Sequence, residues 1–334
     1  MSLSRRHFLK SSLGTAAVLG ASTGQALADA AAQTTIPKRK FGKHDDLLTV
    51  VGLGGHTLYL SGSQTEANDI VDKAMDLGIN FYDNAWDYHG GEAEEYMGVA
   101  LDRFARDKYF LMTKFCIYHS GKYSDDKTGA MKMLEDSLRR MKTDHIDLWM
   151  LHHVSGDDAE RAYESDGALA ALDLAKEQGK IRYTGFTGHT DPQIHVDLIK
   201  GGYDWDATLM PVSIVGALKS REFEKRVMPL CKENDIAVLG MKGFGGSRRT
   251  QLHGKTNISE IISYSLSYPE VCTQVVGMDK VPYVEAAVAA SPVKPMTPLE
   301  REEFAANFDA KHFDDYAMKH GGEIYESCCH HRKA

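Results

Sequence analysis

Four side chains in this sequence could together move a proton. Asp83 ends the apolar run Ile79–Tyr82, and Tyr88 follows five residues later. Lys114 ends the run Tyr109–Thr113, and His152 ends the run Ile146–Leu151. A free tyrosine titrates near ~10 and is a poor acid at neutral pH. A nearby ammonium favours the phenolate and makes the phenol a better acid. A lysine can do this if a carboxylate holds it in place. The set therefore reads as Tyr88 the proton donor, Lys114 its charge partner and Asp83 the anchor of Lys114, with His152 as a hydrogen-bond donor to an oxygen gaining negative charge. Taken singly, each has a plainer role: Asp83 as a strand-end cap, Lys114 as a solvated terminal charge, His152 as a satisfied rim histidine, Tyr88 as a packed loop aromatic.

Strand ends that carry polar side chains are where α/β barrels keep their chemistry. From Val51 onward, short apolar runs alternate with helical patterns, which points to βαβ units and a parallel sheet. Strands are expected near 51–53, 79–82, 109–113, 146–151, 181–186, 207–210, 236–240 and 273–276, each followed by a helix. Eight such units in about 240 residues make a (β/α)8 TIM barrel. Helix punctuation supports the count. Ser63-Gln64-Thr65-Glu66 reads as a capping box opening a helix that ends at Gly78. Asp191-Pro192 reads as an N-cap with proline in the first turn, and that helix stops at Gly201-Gly202. Lys38–Val50 should form a hairpin closing the barrel floor. Thr297-Pro298-Leu299-Glu300 should open a further capped helix leading into a helical tail over 299–334.

With these elements in place the chain resembles an aldo-keto reductase. The resemblance runs in order through Lys38-Arg39-Lys40-Phe41-Gly42, Val51-Gly52-Leu53-Gly54-Gly55, Asp83…Tyr88, Gly91-Glu92-Ala93-Glu94-Glu95-Tyr96-Met97-Gly98, Lys114 and Leu151-His152. It continues through Lys180–His189, Met210-Pro211-Val212-Ser213 and Gly240-Met241-Lys242, and so covers most of residues 38–290. It implies a single barrel domain over 38–334 that transfers a hydride between NADP(H), or NAD(H), and a carbonyl or alcohol. It gives Asp83, Tyr88, Lys114 and His152 the roles set out above, with His152 orienting the carbonyl. For the cofactor it implies Gly55, Thr187, Gly188, Met210, Met241, Lys242, Gly243, Phe244, Gly245, Gly277, Met278 and Lys280. No GxGxxG follows a strand, so a Rossmann site is not expected; the glycines of Gly240–Gly245 would let backbone N–H groups approach a pyrophosphate. Arg248 and Arg249 could meet phosphate or stay solvated.

The chain departs from the family pattern in two places. Thr187-Gly188 stands where many members carry Ser-Asn, and Leu209 where they carry Gln, which puts part of the carboxamide grip in doubt. After the eighth strand Asp279 accompanies Lys280 as the nearest cation, which weakens the case for a 2′-phosphate. Thr-Gly-His and Met-Pro place the chain in a bacterial branch. The substrate pocket is expected to be lined by His56, Tyr59, Trp86, Tyr118 and His153, which suits a small aldehyde, ketone or sugar-like carbonyl.

Of the 334 residues, 43% are hydrophobic and 26% charged, ordinary for a globular protein. The net charge is −8, and −11 without Arg5, Arg6 and Lys10, the only charges in the first 28 residues. An acidic body argues against nucleic acid and anionic lipid as partners. Residues 1–28 read as a targeting segment and 29–37 as a linker. Ser4-Arg5-Arg6-His7-Phe8-Leu9-Lys10 resembles a twin-arginine export signal, Leu13–Ala21 is too short an apolar run to span a bilayer, and Ala26-Leu27-Ala28 offers a cleavage site. The expectation is a periplasmic protein that meets the twin-arginine export machinery and has no stable membrane insertion. The five cysteines show no CxxC spacing and no disulfide framework. Cys328-Cys329-His330-His331 reads as a disordered tail, and no metal site is expected. Two rivals remain: a non-catalytic nicotinamide-binding barrel acting as sensor or subunit, and a barrel hydrolase or lyase using Asp83 and Lys114.

Overall fold

The computed structural model describes residues 35–116, 118, 120–214, 217–243 and 256–306. Its centre is a closed barrel of eight parallel strands: β3 (Val51–Gly54), β4 (Phe81–Asp83), β5 (Phe110–Phe115), β6 (Ile146–Leu151), β7 (Ile181–Thr187), β8 (Ala207–Pro211), β9 (Ala237–Met241) and β10 (Val271–Gly277). β10 pairs with both β9 and β3, which closes the ring. Each expected strand is present. β4 begins at Phe81 rather than Ile79 because Asn80 is taken up by the floor: its side chain accepts from Thr49 N at 2.8 Å and donates to Leu47 O at 2.8 Å.

That floor is the expected hairpin, β1 (Lys38–Lys40) antiparallel to β2 (Leu47–Thr49). It pushes Phe41 and Leu48 into the barrel beneath Phe81, Phe110, Met112, Leu148, Met150, Leu209 and Leu239. Arg39 fastens it by donating to the carbonyls of Leu266, Tyr268 and Val271 at 2.7–3.0 Å. A second, larger apolar layer fills the space between the strands and the surrounding helices.

The helix signals hold with two adjustments. Ser63 Oγ accepts from Glu66 N, but the Glu66 carboxylate takes the Ser63 hydroxyl rather than closing a box on the backbone. That helix runs Gln64–Asp76, and Gly78, at φ +87°, turns the chain away. Asp191 caps Pro192–Lys200, with proline in the first turn as expected. Thr297 and Glu300 exchange bonds at the start of Pro298–Ala306; the rest of the expected tail lies outside the described residues. A reciprocal capping box does occur at Asn257 and Glu260. Among the described residues, no helix is long and apolar enough to cross a membrane, and Cys116, Cys231 and Cys272 form no disulfide bond.

Candidate active site

Strand parity places the site. Side chains alternate between the two faces of a strand, so Asp83, Lys114 and His152 share the inward face with Phe81, Met112 and Met150 one pleat below. They form a polar layer directly above the apolar plug. Backbone bonds carry the ladder past the strand ends: Asn84 N donates to Met112 O, Trp86 N to Lys114 O and His152 N to Phe115 O, at 2.9–3.0 Å. The loop that delivers Tyr88 is therefore held to β5 at Asn84 and Trp86.

Lys114 is wholly buried. Its ammonium donates to Asp83 Oδ1 at 2.5 Å and Asn84 O at 2.6 Å, and lies 3.3 Å from the Tyr88 hydroxyl. Burial pushes the Asp83 carboxyl above the usual carboxylate range, and Lys114 pulls it back. The Tyr88 ring meets the His152 ring edge-on, centroids 5.5 Å apart, and the His56 ring at 5.2 Å. The expected proton donor, charge partner, anchor and histidine are thus in one place.

Tyr88 opens a tight turn in which His89, Gly90 and Gly91 all have positive φ, and the helix Glu92–Leu101 starts at once. Gly91 is needed there twice over: its φ is +101°, and a Cβ would stand 2.3 Å from Arg140 Cζ. Arg140 holds the turn from below, donating to Trp86 O at 2.8 Å and to the buried Glu94 at 3.0 Å. Glu94 also accepts from Thr113 at 2.6 Å.

Sequence reasoning missed two residues at His152. Asp87 Oδ1 lies 3.0 Å and Cys116 Sγ 3.1 Å from His152 Nδ1. Position 116 shares the inward parity of Lys114, which was a usable signal; Asp87 had none.

Apart from Gly55, which follows β3, the described residues expected at the cofactor lie on or just after β7, β8, β9 and β10, across the mouth from β4–β6. Thr187 has the inward parity and is buried. A side chain at Gly188 would press on its neighbours, because a Cβ would lie 2.9 Å from Val154 Cγ2 and 3.0 Å from His195 Nε2. Lys242 has φ +58° ahead of Gly243, a backbone bend of the kind that gathers N–H groups toward an anion. Gly277 and Lys280 are exposed on the rim, and Gly55 opens a short helix against Asn84. Two assignments are corrected. Met210 and Met278 are wholly buried among the residues facing the helices, so their side chains point away from the mouth. Met210 has the parity opposite to inward Leu209. Phe244, Gly245, Arg248, Arg249 and the Cys328–His331 tail lie outside the described residues.

The expected substrate wall divides. His56 stands beside Tyr88, and His153, at φ +53°, has its ring tilted against the His189 ring with centroids 5.0 Å apart. Tyr59 stacks on His89. Tyr118 is otherwise employed: its hydroxyl accepts from Ala168 N, opening the helix Ala168–Glu177, and burial pushes its phenol up to about 12. Trp86 donates to Asp136 at 3.2 Å and has Lys122 and Arg140 over its ring, so it braces the wall.

The model of the aldo/keto reductase family matches residues 50–260. This chain belongs to that family. The oxidoreductase YqkF of Bacillus subtilis is 32% identical over 207 residues, which is 60% of this chain and 63% of that one. The aldo-keto reductase yakc [NADP(+)] of Schizosaccharomyces pombe is 30% identical over 225 residues, 61% of this chain and 60% of that one. The matched stretch therefore spans under two thirds of both relatives. An aldo-keto reductase of Bacillus halodurans, solved in its holo form, superposes with a TM-score of 0.67 at 25% identity, covering 81% of this chain and 96% of that one.

Proposed function

We propose that this aldo-keto reductase is an NAD(P)-dependent oxidoreductase that reduces small carbonyls, or oxidises the matching alcohols. The carrying observation is the buried Lys114 ammonium, shared between Asp83 and the Tyr88 hydroxyl. A pure binding barrel has no use for that phenol, and a hydrolase or lyase built on Asp83 and Lys114 would need them less tightly paired.

The rim fits a nicotinamide dinucleotide. Thr187, the Gly188 backbone, the bend at Met241–Gly243 and the Gly277–Lys280 turn would hold it. Bound there, it would supply or accept the hydride. Tyr88 donates its proton to the carbonyl oxygen. Lys114 favours the phenolate left behind, by charge. His152 donates a hydrogen bond that fixes the carbonyl and stabilises the forming alkoxide. His56 and His153 flank the opening. The name of the Schizosaccharomyces pombe relative supports NADP(H), while Asp279 beside Lys280 makes discrimination against NAD(H) weak.

The test is a panel of aldehydes, ketones and sugar-like carbonyls with NADPH and NADH, using wild type and Tyr88→Phe. The variant should lose roughly 10²–10⁴ in turnover, the usual worth of a positioned acid, with cofactor affinity little changed. Full activity in Tyr88→Phe would end the tetrad assignment; failure to bind either dinucleotide would favour the hydrolase or lyase reading. The segment Ser4–Lys10 supports export by the twin-arginine route to the periplasm. Replacing Arg5 and Arg6 by Lys should then hold the protein in the cytoplasm, and an unchanged distribution would remove this part of the proposal.

A further inference from the structure

We infer that Asp87, Cys116 and His152 form a divalent-cation site, best suited to Zn²⁺, at the Nδ1 nitrogen of His152. Their ligand atoms all lie within 4.8 Å of one another. They come from three separate segments: Asp87 from the loop after β4, Cys116 from the end of β5, His152 from the end of β6. No sequence spacing could announce them.

The same three residue types could be a nucleophilic triad. In such a relay the thiol and the carboxylate sit on opposite nitrogens of the imidazole, so that a proton passes through the ring. Here Asp87 Oδ1 and Cys116 Sγ both approach Nδ1, at 3.0 and 3.1 Å. One nitrogen carries at most one proton and cannot serve both as partner. Three ligand atoms of these types gathered within 4.8 Å of one another are what a metal requires.

The chemistry and the size agree. Imidazole nitrogen, thiolate and carboxylate are all zinc ligands, with bonds of about 2.0–2.3 Å, and a three-residue set leaves a fourth position for water. Tetrahedral geometry on those bonds puts nitrogen about 3.4 Å from oxygen and about 3.6 Å from sulfur, so these gaps must open by roughly 0.4 and 0.5 Å. Asp87 can give, since it sits in a loop with its side chain 14% exposed. Thiolate and carboxylate would neutralise the ion, while Asp83 and Lys114 beside it balance each other. With Nδ1 on the metal, the ring proton must sit on Nε2. That is the donor form that the reductase reading asks of His152, and this consequence alone rests on that reading.

The test is cobalt and zinc titration of the full chelator-treated chain, read by absorption and by metal content. Co²⁺ should bind one per chain with a thiolate-to-cobalt band, and Zn²⁺ should displace it. Cys116→Ser should abolish the band, and Asp87→Asn should weaken binding by more than the roughly 10–100-fold that loss of an outer-sphere partner costs. The Cys328→Ser, Cys329→Ser double variant should keep both band and affinity. No band in wild type, a band that survives Cys116→Ser, or a band lost with the tail cysteines would each overturn the site. These readouts are independent of turnover, so a metal site without reductase activity, or the reverse, would be seen as such.

Discussion

Removing Lys114 should leave a pH-dependent defect that reports directly on Asp83. In Lys114→Met the aliphatic stem is largely kept and the ammonium is lost, so Asp83 remains buried without its 2.5 Å partner. Breaking a buried pair this way costs about 3–5 kcal/mol. Asp83 can lessen that cost by taking up a proton, since burial already pushes it upward. A carboxyl whose folded pKa is raised binds more protons folded than unfolded, so stability falls as pH rises above the unfolded value of ~3.9 and levels off above the folded one. At ~1.36 kcal/mol per pH unit the deficit is about 1.5 kcal/mol at pH 5 and grows to its full 3–5 kcal/mol by pH 8. The assay is urea unfolding of wild type, Lys114→Met and Asp83→Asn/Lys114→Met at both pH values. Relative to wild type, the double variant's deficit should be milder than the single's at pH 8 and should not change between the two pH values. A deficit equal at pH 5 and pH 8, with no relief in the double variant, would refute the buried charge coupling on which the tetrad rests.

Gly91→Ala should destabilise by roughly 1–3 kcal/mol from backbone strain alone, and more if Arg140 is driven off Glu94; equal stability by thermal unfolding would mean that the turn carrying Tyr88 adapts. His195 is buried, with Nδ1 3.1 Å from Thr208 Oγ1, and burial lowers it to about 3. The unfolded chain therefore protonates first on acidification, and stability should fall below ~6.5, by up to ~1.4 kcal/mol per unit, until about pH 3. His189, lowered to about 2 by burial and Lys242, adds to the same slope; His195→Gln should remove about one proton from it, measured by unfolding across that window. Asp279→Ser should improve NADPH binding more than NADH binding, and equal factors in a fluorescence titration would put Asp279 away from the 2′ position.

What was legible in the sequence is what lies along a strand. Each strand places its side chains by parity, so Asp83, Lys114 and His152 could be found at the ends of their apolar runs, and the barrel followed from the alternation that spaced them. Parity also explains the error at Met210: one residue along from Leu209 is the opposite face, and matching a family motif does not say which face the motif shows. The supports were not legible because they join distant segments. Arg140 reaches Trp86 across 54 positions and Glu94 across 46, and Asp87 meets His152 only because two loops lean together over one strand end. Tyr118 looked like a pocket aromatic by type, and its hydroxyl is spent on a helix start that no local pattern announces.

The hairpin under the barrel has a consequence in time. Arg39 emerges early in synthesis, but the carbonyls that receive it belong to residues 227–232 positions later. β3 likewise waits for β10 before its open side is paired. Until the last strand is made, the nascent sheet has two bare edges and an unplugged interior, the state most exposed to wrong pairing. Closure depends on contacts of very large sequence separation, so it should be slow and all at once. A chain cut short before Leu266 would have neither lock nor final strand, and should behave as an aggregation-prone open sheet rather than as a smaller barrel.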